Sequence, residues 1–481
     1  MRKTFMSVLA GTFVATLVAT LFVSASFAQG YKISVEIKGE KNKDAILVMH
    51  YGTNKYSMDT AAIGKNGKME FTGRKPLSPG MYLIAADGTQ LFDFLIPDTT
   101  NQNFSIHTQK DKYLESLSFD GSPENQAFAE YTRFLLRLQK KEKELIEKAK
   151  KDKDDEQKLK EIDDEEEALA KEADAKLAEI GGKFPGSLLY SVVRAMKNTP
   201  VKRSQLPKDE TEKQRYIYEY VKKHYWDNIT LSDIRMQYTP ILMPAIDNYF
   251  SASFTPQIPD SIISAFDRLF PKTEGDTAMK RFFTGHVFNK YVNSKIMGMD
   301  NVVIHIIDNY YLANKVNARD PKFIKNITEH ADKYRSTRIG TQAQNLKMET
   351  IGGAPEALYD IDAPYTLVYF YEPSCGHCKQ ETPKVYKVFQ NFKDKGLAGF
   401  CVYSQSNKEE WTEYVSKNSM TDWINVWDPA NSNDFRTAYS VYSVPQVYLL
   451  DKDKKIIGHR LDSESLSQML AHLLKDTKQL Q

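Results

Sequence analysis

The stretch FYEPSCGHCKQETP, Phe370 to Pro383, contains two of the three cysteines in a chain of 481 residues. Cys375 and Cys378 are separated by one glycine and one histidine. Two thiols at this spacing can form a redox centre, half of a metal site or a structural disulfide. The neighbouring residues help to distinguish these alternatives, because they set the secondary structure on which the thiols lie.

The segments around this stretch alternate between strand and helix patterns. YTLVYFYE, which overlaps its start, is an apolar run typical of a buried strand, and CKQETPKVYKVFQNFKDKG has the pattern of a helix that ends at Gly396. Four more strand patterns follow, namely LAGFCVYS, INVWD, PQVYLLD and KKIIGHRL. Helical segments separate the first three, the last two form a hairpin, and SESLSQMLAHLLK is a closing helix. This order predicts a mixed α/β domain in which the cysteine pair opens the first helix.

A cysteine at the start of a helix is well placed to act as a nucleophile. Unpaired backbone N–H groups and the helix dipole stabilise a thiolate at Cys375. Cys378, one turn further along, is the predicted resolving thiol, which attacks a mixed disulfide and releases the substrate. The dithiol is itself the redox group, so no organic cofactor is expected.

The two other uses of the pair remain as alternatives. Zinc needs two further ligands, and the third cysteine, Cys401, lies on a predicted central strand, where a buried core thiol is expected. The histidines elsewhere lack metal-site spacing, so no metal site is expected. A structural disulfide across four residues removes little entropy from the unfolded chain. A redox centre is therefore the main prediction.

These residues carry a resemblance to the thioredoxin superfamily. VYFYEPSCGHCKQETP resembles its active-site region, with an aromatic strand end and Pro383 five residues beyond Cys378. SVPQVYLLD is similar to the second signature of the family, which implies that Pro445 is a cis-proline facing the pair. The lead-in NLKMETIGGAPEALYDIDAPYT resembles the ResA/TlpA-like periplasmic branch. The resemblance covers residues 342–475 and implies a thiol-disulfide oxidoreductase.

Residues near the pair modify what this resemblance implies. CGHC, with Gly376 and His377, is the pattern of protein disulfide isomerases, which predicts a less reducing centre than thioredoxin. Tyr369 stands where thioredoxin carries a buried aspartate, and Ser374 replaces the usual tryptophan. Glu372 is either a replacement for the missing carboxylate or an exposed loop residue.

The N-terminus has the three-part pattern of a secretory signal peptide over residues 1–28. Two basic residues precede an apolar run that ends in SASFAQG, with Ser26 and Ala28 at the small-residue positions of a cleavage site. An uncleaved anchor is the alternative, although the run is shorter than the roughly 20 residues of a spanning helix. Removing this segment lowers Lys+Arg from 65 to 63, which equals Asp+Glu. The balanced charge gives no attraction to nucleic acid. The signal-peptide pattern predicts an exported protein of the periplasm or cell envelope.

Three regions precede the thioredoxin-like domain, which is predicted over residues 341–481. Residues 29–121 alternate apolar and polar positions between turn signals, which predicts an all-β sandwich or barrel of antiparallel strands. Residues 122–182 are dense in charge and predict a helical arm, either solvated or a dimerising coiled coil. Residues 183–340 predict amphipathic helices around an aromatic core. The β and helical regions faintly resemble segments that precede thioredoxin modules in large exported proteins of Gram-negative bacteria.

Two functions are consistent with these features. The first is an exported thiol-disulfide oxidoreductase that exchanges disulfides with protein cysteines through Cys375, served by a redox partner that is expected to be membrane-bound. The second is an envelope binding or scaffold protein that uses its thioredoxin fold for docking, since most of the chain has no recognisable chemistry. Self-association through the charged arm is a further expectation. The direction of exchange is open, because ResA/TlpA relatives mostly reduce whereas CGHC favours oxidation or isomerisation.

Overall fold

The computed structural model of the chain describes residues 30–41, 43–152, 155–197, 199, 201–317 and 320–474. The predicted signal peptide lies outside the described residues. The chain divides into two compact units. The first comprises residues up to Lys197 together with two short segments, Lys202–Ser204 and Gln237–Pro240, and the second comprises the remainder.

The first unit begins with a β sandwich. Its eight strands are β1 (Tyr31–Lys38), β2 (Lys43–Tyr51), β3 (Asn54–Ile63), β4 (Lys68–Gly73), β5 (Gly80–Ala86), β6 (Thr89–Ile96), β7 (Asn103–Gln109) and β8 (Ser118–Asp120). They form two four-stranded sheets, ordered β4-β1-β7-β8 and β3-β2-β5-β6. The inward-facing residues, such as Ile33, Phe71 and Phe94, form one apolar core, which confirms the predicted all-β domain.

The prediction of purely antiparallel pairing is wrong for one pair of strands. β1 and β7 run parallel, with Ile33 opposite Phe104 and Val35 opposite Ile106. Alternation of apolar and polar residues specifies which face of a strand is buried, and it carries no information on the direction of the neighbouring strand.

The charged region folds back on itself as a helical hairpin. Its helices are α1 (Pro123–Lys151) and α2 (Glu156–Lys183), followed by the short α3 (Leu188–Ala195). Leu138 and Leu145 of α1 pack against Ile162 and Leu169 of α2. The sparse apolar residues of the arm are therefore buried within one chain, while the many charged residues face solvent.

The second unit begins with the predicted helical region. Its helices are α4 (Glu210–His224), α5 (Leu242–Tyr249), α6 (Pro259–Leu269), α7 (Thr277–Val292), α8 (Asp300–Ile306) and α9 (Pro321–Arg335). Phe266, Phe283 and Tyr310 form part of a buried aromatic core, with ring centroids 5.3 and 4.8 Å from that of Phe266. The tyrosines of α4 are an exception, since no residue of that helix is fully buried. No helix within the described ranges is long and apolar enough to span a membrane.

The C-terminal part of the second unit is an α/β domain. Its elements are β9 (Lys347–Thr350), β10 (Pro355–Ala357), β11 (Tyr365–Tyr371), α10 (Gly376–Phe392), β12 (Leu397–Tyr403), α11 (Lys408–Lys417), β13 (Ile424–Trp427), α12 (Phe435–Ala438), β14 (Gln446–Asp451), β15 (Ile456–His459) and α13 (Ser463–Leu473). The seven-stranded sheet has the order β10-β9-β13-β12-β11-β14-β15. From β11 onward this is the element order that the sequence predicts.

The sheet topology brings two loops of this domain together. β11 pairs parallel with β12 and antiparallel with β14, so the end of β11 lies beside the beginning of β14. Phe370 is opposite Gln446 in this register. The cysteine pair, which follows β11, and Pro445, which precedes β14, consequently lie at the same edge of the sheet.

Candidate active site

Cys375 and Pro445 lie at the edge where β11 ends and β14 begins. Cys375 is the residue immediately before α10, in an extended conformation, and its side chain is half-buried. Its thiol donates to the carbonyl oxygen of Val444 at 3.6 Å. The peptide bond between Val444 and Pro445 is cis. A thiol at a helix start thus faces the backbone of the proline loop.

Cys378 lies one turn into α10 and is fully buried in the core between that helix and the sheet. Burial, with a smaller contribution from the neighbouring Cys375, raises the pKa of the Cys378 thiol to about 12. A backbone N–H of Glu372 acts in the opposite direction. Both cysteines are free thiols in this structure. The pair therefore combines an accessible thiol with a buried, protonated one.

Cys401 is fully buried on the central strand β12. It lies opposite Tyr369 of β11, and burial raises its pKa well above the ordinary value for a thiol. A protonated thiol without access to solvent packs as a small apolar side chain.

Tyr369 presents a hydroxyl to α10 at the position where the resemblance implies a carboxylate. Its oxygen lies 2.8 Å from Oγ1 of Thr382, and both residues are buried. Burial raises the pKa of Tyr369, so this hydroxyl is neutral. Thr382 was not predicted as a site residue, although its spacing of four residues from Cys378 places both on one face of the helix.

Glu372 lies in the turn between β11 and α10 and is half-buried. Its carboxylate accepts hydrogen bonds from Oγ of Ser404 and Nε2 of Gln405, each at 3.0 Å. Its negative charge also raises the pKa of Cys378. Glu372 is thus a loop residue at the surface whose carboxylate is held by two polar groups that follow β12.

The remaining predicted residues lie on the outer surface of the turn. Gly376 and His377 are exposed in the first turn of α10, and Ser374 is exposed with its hydroxyl 3.4 Å from Oε1 of Gln405. A Cβ atom added at Gly376 would meet nothing within 4 Å beyond its chain neighbours and its own helix. The turn that carries Gly376 and His377 is therefore open to solvent.

A groove lies beside Pro445, where the C-terminal α/β domain meets α9 of the same compact unit. It encloses a cavity of about 410 Å³ lined by residues that include Tyr334, Glu381, Ser440, Tyr442, Pro445 and Arg460. Apart from the proline, these residues could not be predicted from the sequence, because they come from separate segments that carry no shared motif. In the described part of the chain, no group of three His, Cys, Asp or Glu side chains is arranged to hold a metal ion.

Three family models match the chain. Residues 31–128 match a domain of unknown function, DUF4369, and residues 137–334 match a second one, DUF5106. Residues 364–456, which contain the cysteine pair and Pro445, match a family described as thioredoxin-like.

Known proteins are similar to parts of the chain. The thiol-disulfide oxidoreductase ResA of Bacillus cereus is 24% identical over 149 residues, which are 31% of this chain and 83% of the relative. A solved domain of a possible thiol-disulfide isomerase from Cytophaga hutchinsonii is 36% identical, with a TM-score of 0.27, and the match covers 29% of this chain and 95% of that one. A thioredoxin-like protein from Bacteroides caccae is 19% identical, with a TM-score of 0.43, and the match covers 57% of this chain and 98% of that one.

Proposed function

We propose that this chain exchanges disulfides with protein cysteines. Its C-terminal domain belongs to the thioredoxin-like family and is homologous to ResA thiol-disulfide oxidoreductases. The observation that carries the proposal is the arrangement of three residues. Cys375 is accessible at a helix start, Pro445 faces it in a cis peptide bond, and Cys378 is buried one turn behind. An accessible nucleophile backed by a second thiol is what a two-step exchange requires.

In the reducing direction, the Cys375 thiolate attacks one sulfur of a substrate disulfide. The substrate S–S bond breaks, its other sulfur leaves as a thiolate, and a mixed disulfide joins the substrate to Cys375. Cys378 then loses its proton and attacks Sγ of Cys375. A Cys375–Cys378 disulfide forms and the second substrate sulfur leaves, so that two electrons have passed to the substrate. The same steps in reverse oxidise a substrate dithiol.

The proposal extends to where the chain acts and what restores it. Residues 1–28 have the pattern of an export signal, which supports a location in the periplasm or cell envelope. After each cycle a redox partner, which we expect in the membrane, returns the pair to its starting state. The dithiol needs no organic cofactor or metal for these steps.

Exchange by the purified mature chain with a disulfide-bonded peptide tests this function. The wild-type protein should reduce the peptide with a stoichiometry of one disulfide per pair, and Cys375→Ser should abolish the reaction. Cys401→Ala is the matched control, because this thiol is buried away from the groove, and it should react like the wild type. Equal rates for Cys375→Ser and the wild type, or no reaction by the wild type, would refute the proposal.

An envelope binding or scaffold role is the alternative function. It would rest on the part of the chain outside the thioredoxin-like domain, where residues 31–128 and 137–334 match two domains of unknown function. A Cys378→Ser variant expressed in cells distinguishes the two roles. Capture of partner proteins through a disulfide supports exchange, whereas capture of none favours the scaffold.

A further inference from the structure

The groove beside Pro445 continues into a second and larger cavity of the same compact unit. This cavity has a volume of about 690 Å³ and shares Tyr334, Arg460 and Leu461 with the first. One wall comes from β15 and α13 of the thioredoxin-like domain, and the other comes from α7 to α9 and the loops that join them. The site of disulfide exchange therefore opens into a channel that the helical region completes.

Positive and imidazole groups dominate the polar lining of the larger cavity. The lining contains one carboxylate, that of Asp300, and five such residues, which are Lys295, His330, His459, Arg460 and His472. The walls also include apolar side chains such as Ile296, Met297 and Met469. A lining of this kind is complementary to a chain segment that combines an acidic group with apolar atoms.

Arg460 lies where the two cavities meet, and its charge is available. Its guanidinium carbon is 4.0 Å from the centroid of the Tyr334 ring, and this stacking orients the guanidinium group. No carboxylate among the described residues forms an ion pair with it. The nearby acids are engaged elsewhere, since Glu381 accepts from the backbone N–H of Ser463 at 2.7 Å and Asp462 from that of Ser465 at 2.7 Å.

The backbone of Arg460 supports a role beyond packing. Its φ angle is +53°, in the left-handed region that non-glycine residues seldom adopt. Strained backbone of this kind persists where the surrounding structure holds it, and it clusters at binding sites. The strain and the stacking on Tyr334 together fix the position of the guanidinium.

Buried polar atoms at the inner end of the cavity lack partners. His459 is 6% exposed, and its Nε2 lies 3.5 Å from Oδ1 of Asp300. Nδ1 of His459 and Oδ2 of Asp300 are both buried without a hydrogen-bond partner among the described residues. Leaving a buried polar atom unpaired is costly, so such atoms normally have a partner such as a ligand or ordered water.

We propose that this channel binds the substrate polypeptide beside its reacting cysteine and selects an acidic side chain there, with Arg460 as its ion-pair partner. The inference rests on the proposed exchange function, because a mixed disulfide on Cys375 brings the substrate to Pro445 at the mouth of the channel. Pro445 and Arg460 line the same cavity of about 410 Å³. An extended chain advances about 3.3 Å per residue, so a side chain a few positions from that cysteine is the one to meet Arg460.

Three matched peptides test the preference. Each contains one cysteine as a mixed disulfide with 2-mercaptopyridine, and they differ only in a Glu, Gln or Lys two residues away. The wild-type mature chain should release the pyridinethione from the Glu peptide about five-fold faster than from the Gln peptide, and slowest from the Lys peptide. High salt should reduce this ratio.

Variants assign the preference to the channel. Arg460→Gln should bring the Glu-to-Gln rate ratio close to one, and Arg460→Lys should retain part of it. Arg268→Gln is the control, because this arginine is exposed on α6 outside the channel, and its ratio should equal that of the wild type. A ratio that survives Arg460→Gln would overturn the assignment.

A small disulfide compound without a peptide tests the exchange function separately from the acidic subsite. If the wild type reacts with 2,2′-dithiodipyridine and with all three peptides at equal rates, exchange stands and the acidic subsite is refuted. If it reacts with neither the small disulfide nor any peptide, the exchange function itself fails. The wild-type ratio and its salt dependence decide the matter even where a variant folds poorly.

Discussion

The hydroxyl of Tyr369 lies 2.8 Å from Oγ1 of Thr382, in a buried layer between β11 and α10. Thr382 is one helical turn beyond Cys378, so this pair occupies the side of the resolving thiol that faces the core. In thioredoxin a carboxylate is expected there. Here the two groups are neutral hydroxyls, because burial raises the pKa of the phenol. On the core side of Cys378, two hydrogen-bonded neutral hydroxyls thus take the place of a charged carboxylate.

Removing one side of this hydrogen bond should destabilise the domain. Tyr369→Phe is expected to lower the free energy of unfolding by about 1 kcal/mol, because the buried Thr382 hydroxyl loses its partner. Three of the four tryptophans, Trp411, Trp423 and Trp427, lie in this domain, so their fluorescence during urea unfolding reports it. Adding Thr382→Val should cost less than the sum of the two single variants. Additive losses would contradict the coupling.

Stability at alkaline pH should depend on the Cys378 thiol. Its pKa is about 12 in the folded protein against about 8.5 in an unfolded chain. A group whose pKa is raised by folding stabilises the fold fully below the unfolded pKa, and this contribution is lost as pH rises toward the folded pKa. The unfolding free energy of the wild type minus that of Cys378→Ala should therefore fall by about 1.4 kcal/mol per pH unit above pH 9. Urea unfolding of both proteins between pH 8 and 10.5 measures this difference, and a flat difference would contradict the burial of the thiol.

The residues between the cysteines should set the redox potential. His377 is exposed in the first turn of α10, between the two cysteines. A histidine beside the nucleophilic thiol favours its thiolate and with it the dithiol form. Equilibration with glutathione should give a potential nearer the roughly −180 mV of protein disulfide isomerase than the roughly −270 mV of thioredoxin, and His377→Pro should lower it. A wild-type potential near that of thioredoxin would exclude an oxidase role.

The hairpin of α1 and α2 should depend on its sparse apolar contacts. Leu145 is 3% exposed and packs within the cluster that joins the two helices. Leu145→Ala should lower the free energy of unfolding of the arm by about 2–3 kcal/mol and reduce the helical circular dichroism at elevated temperature. Glu144→Ala changes an exposed neighbour and should leave the melting curve unchanged. Equal melting of both variants would indicate that this contact does not hold the hairpin.

Much of the fold could be predicted from local patterns. The apolar run before Cys375 and the alternation of the following segments specify the strand and helix order of the C-terminal domain, since each pattern depends only on neighbouring residues. The parallel pairing of β1 with β7 could not be predicted in this way. Strand direction depends on contacts between segments far apart in sequence, and periodicity does not encode them.

The residues of the candidate site also fall into two groups, those that a sequence motif identifies and those that only the folded chain brings together. The cysteine pair and Pro445 carry recognisable motifs, so they could be identified from the sequence. Thr382 could have been found from its helical spacing to Cys378. Arg460 and Tyr334 carry no motif and are separated by more than a hundred residues, so their stacking appears only once the chain is folded.

The most direct test of the central claim is a covalent trap. Reduced Cys378→Ser protein, mixed with a disulfide-bonded peptide and analysed by peptide mass spectrometry, should carry the peptide on Cys375 and release it with dithiothreitol. The buried Cys401 should remain unmodified in the same sample. Absence of an adduct, or an adduct on Cys401 instead of Cys375, would contradict disulfide exchange through the Cys375 thiolate.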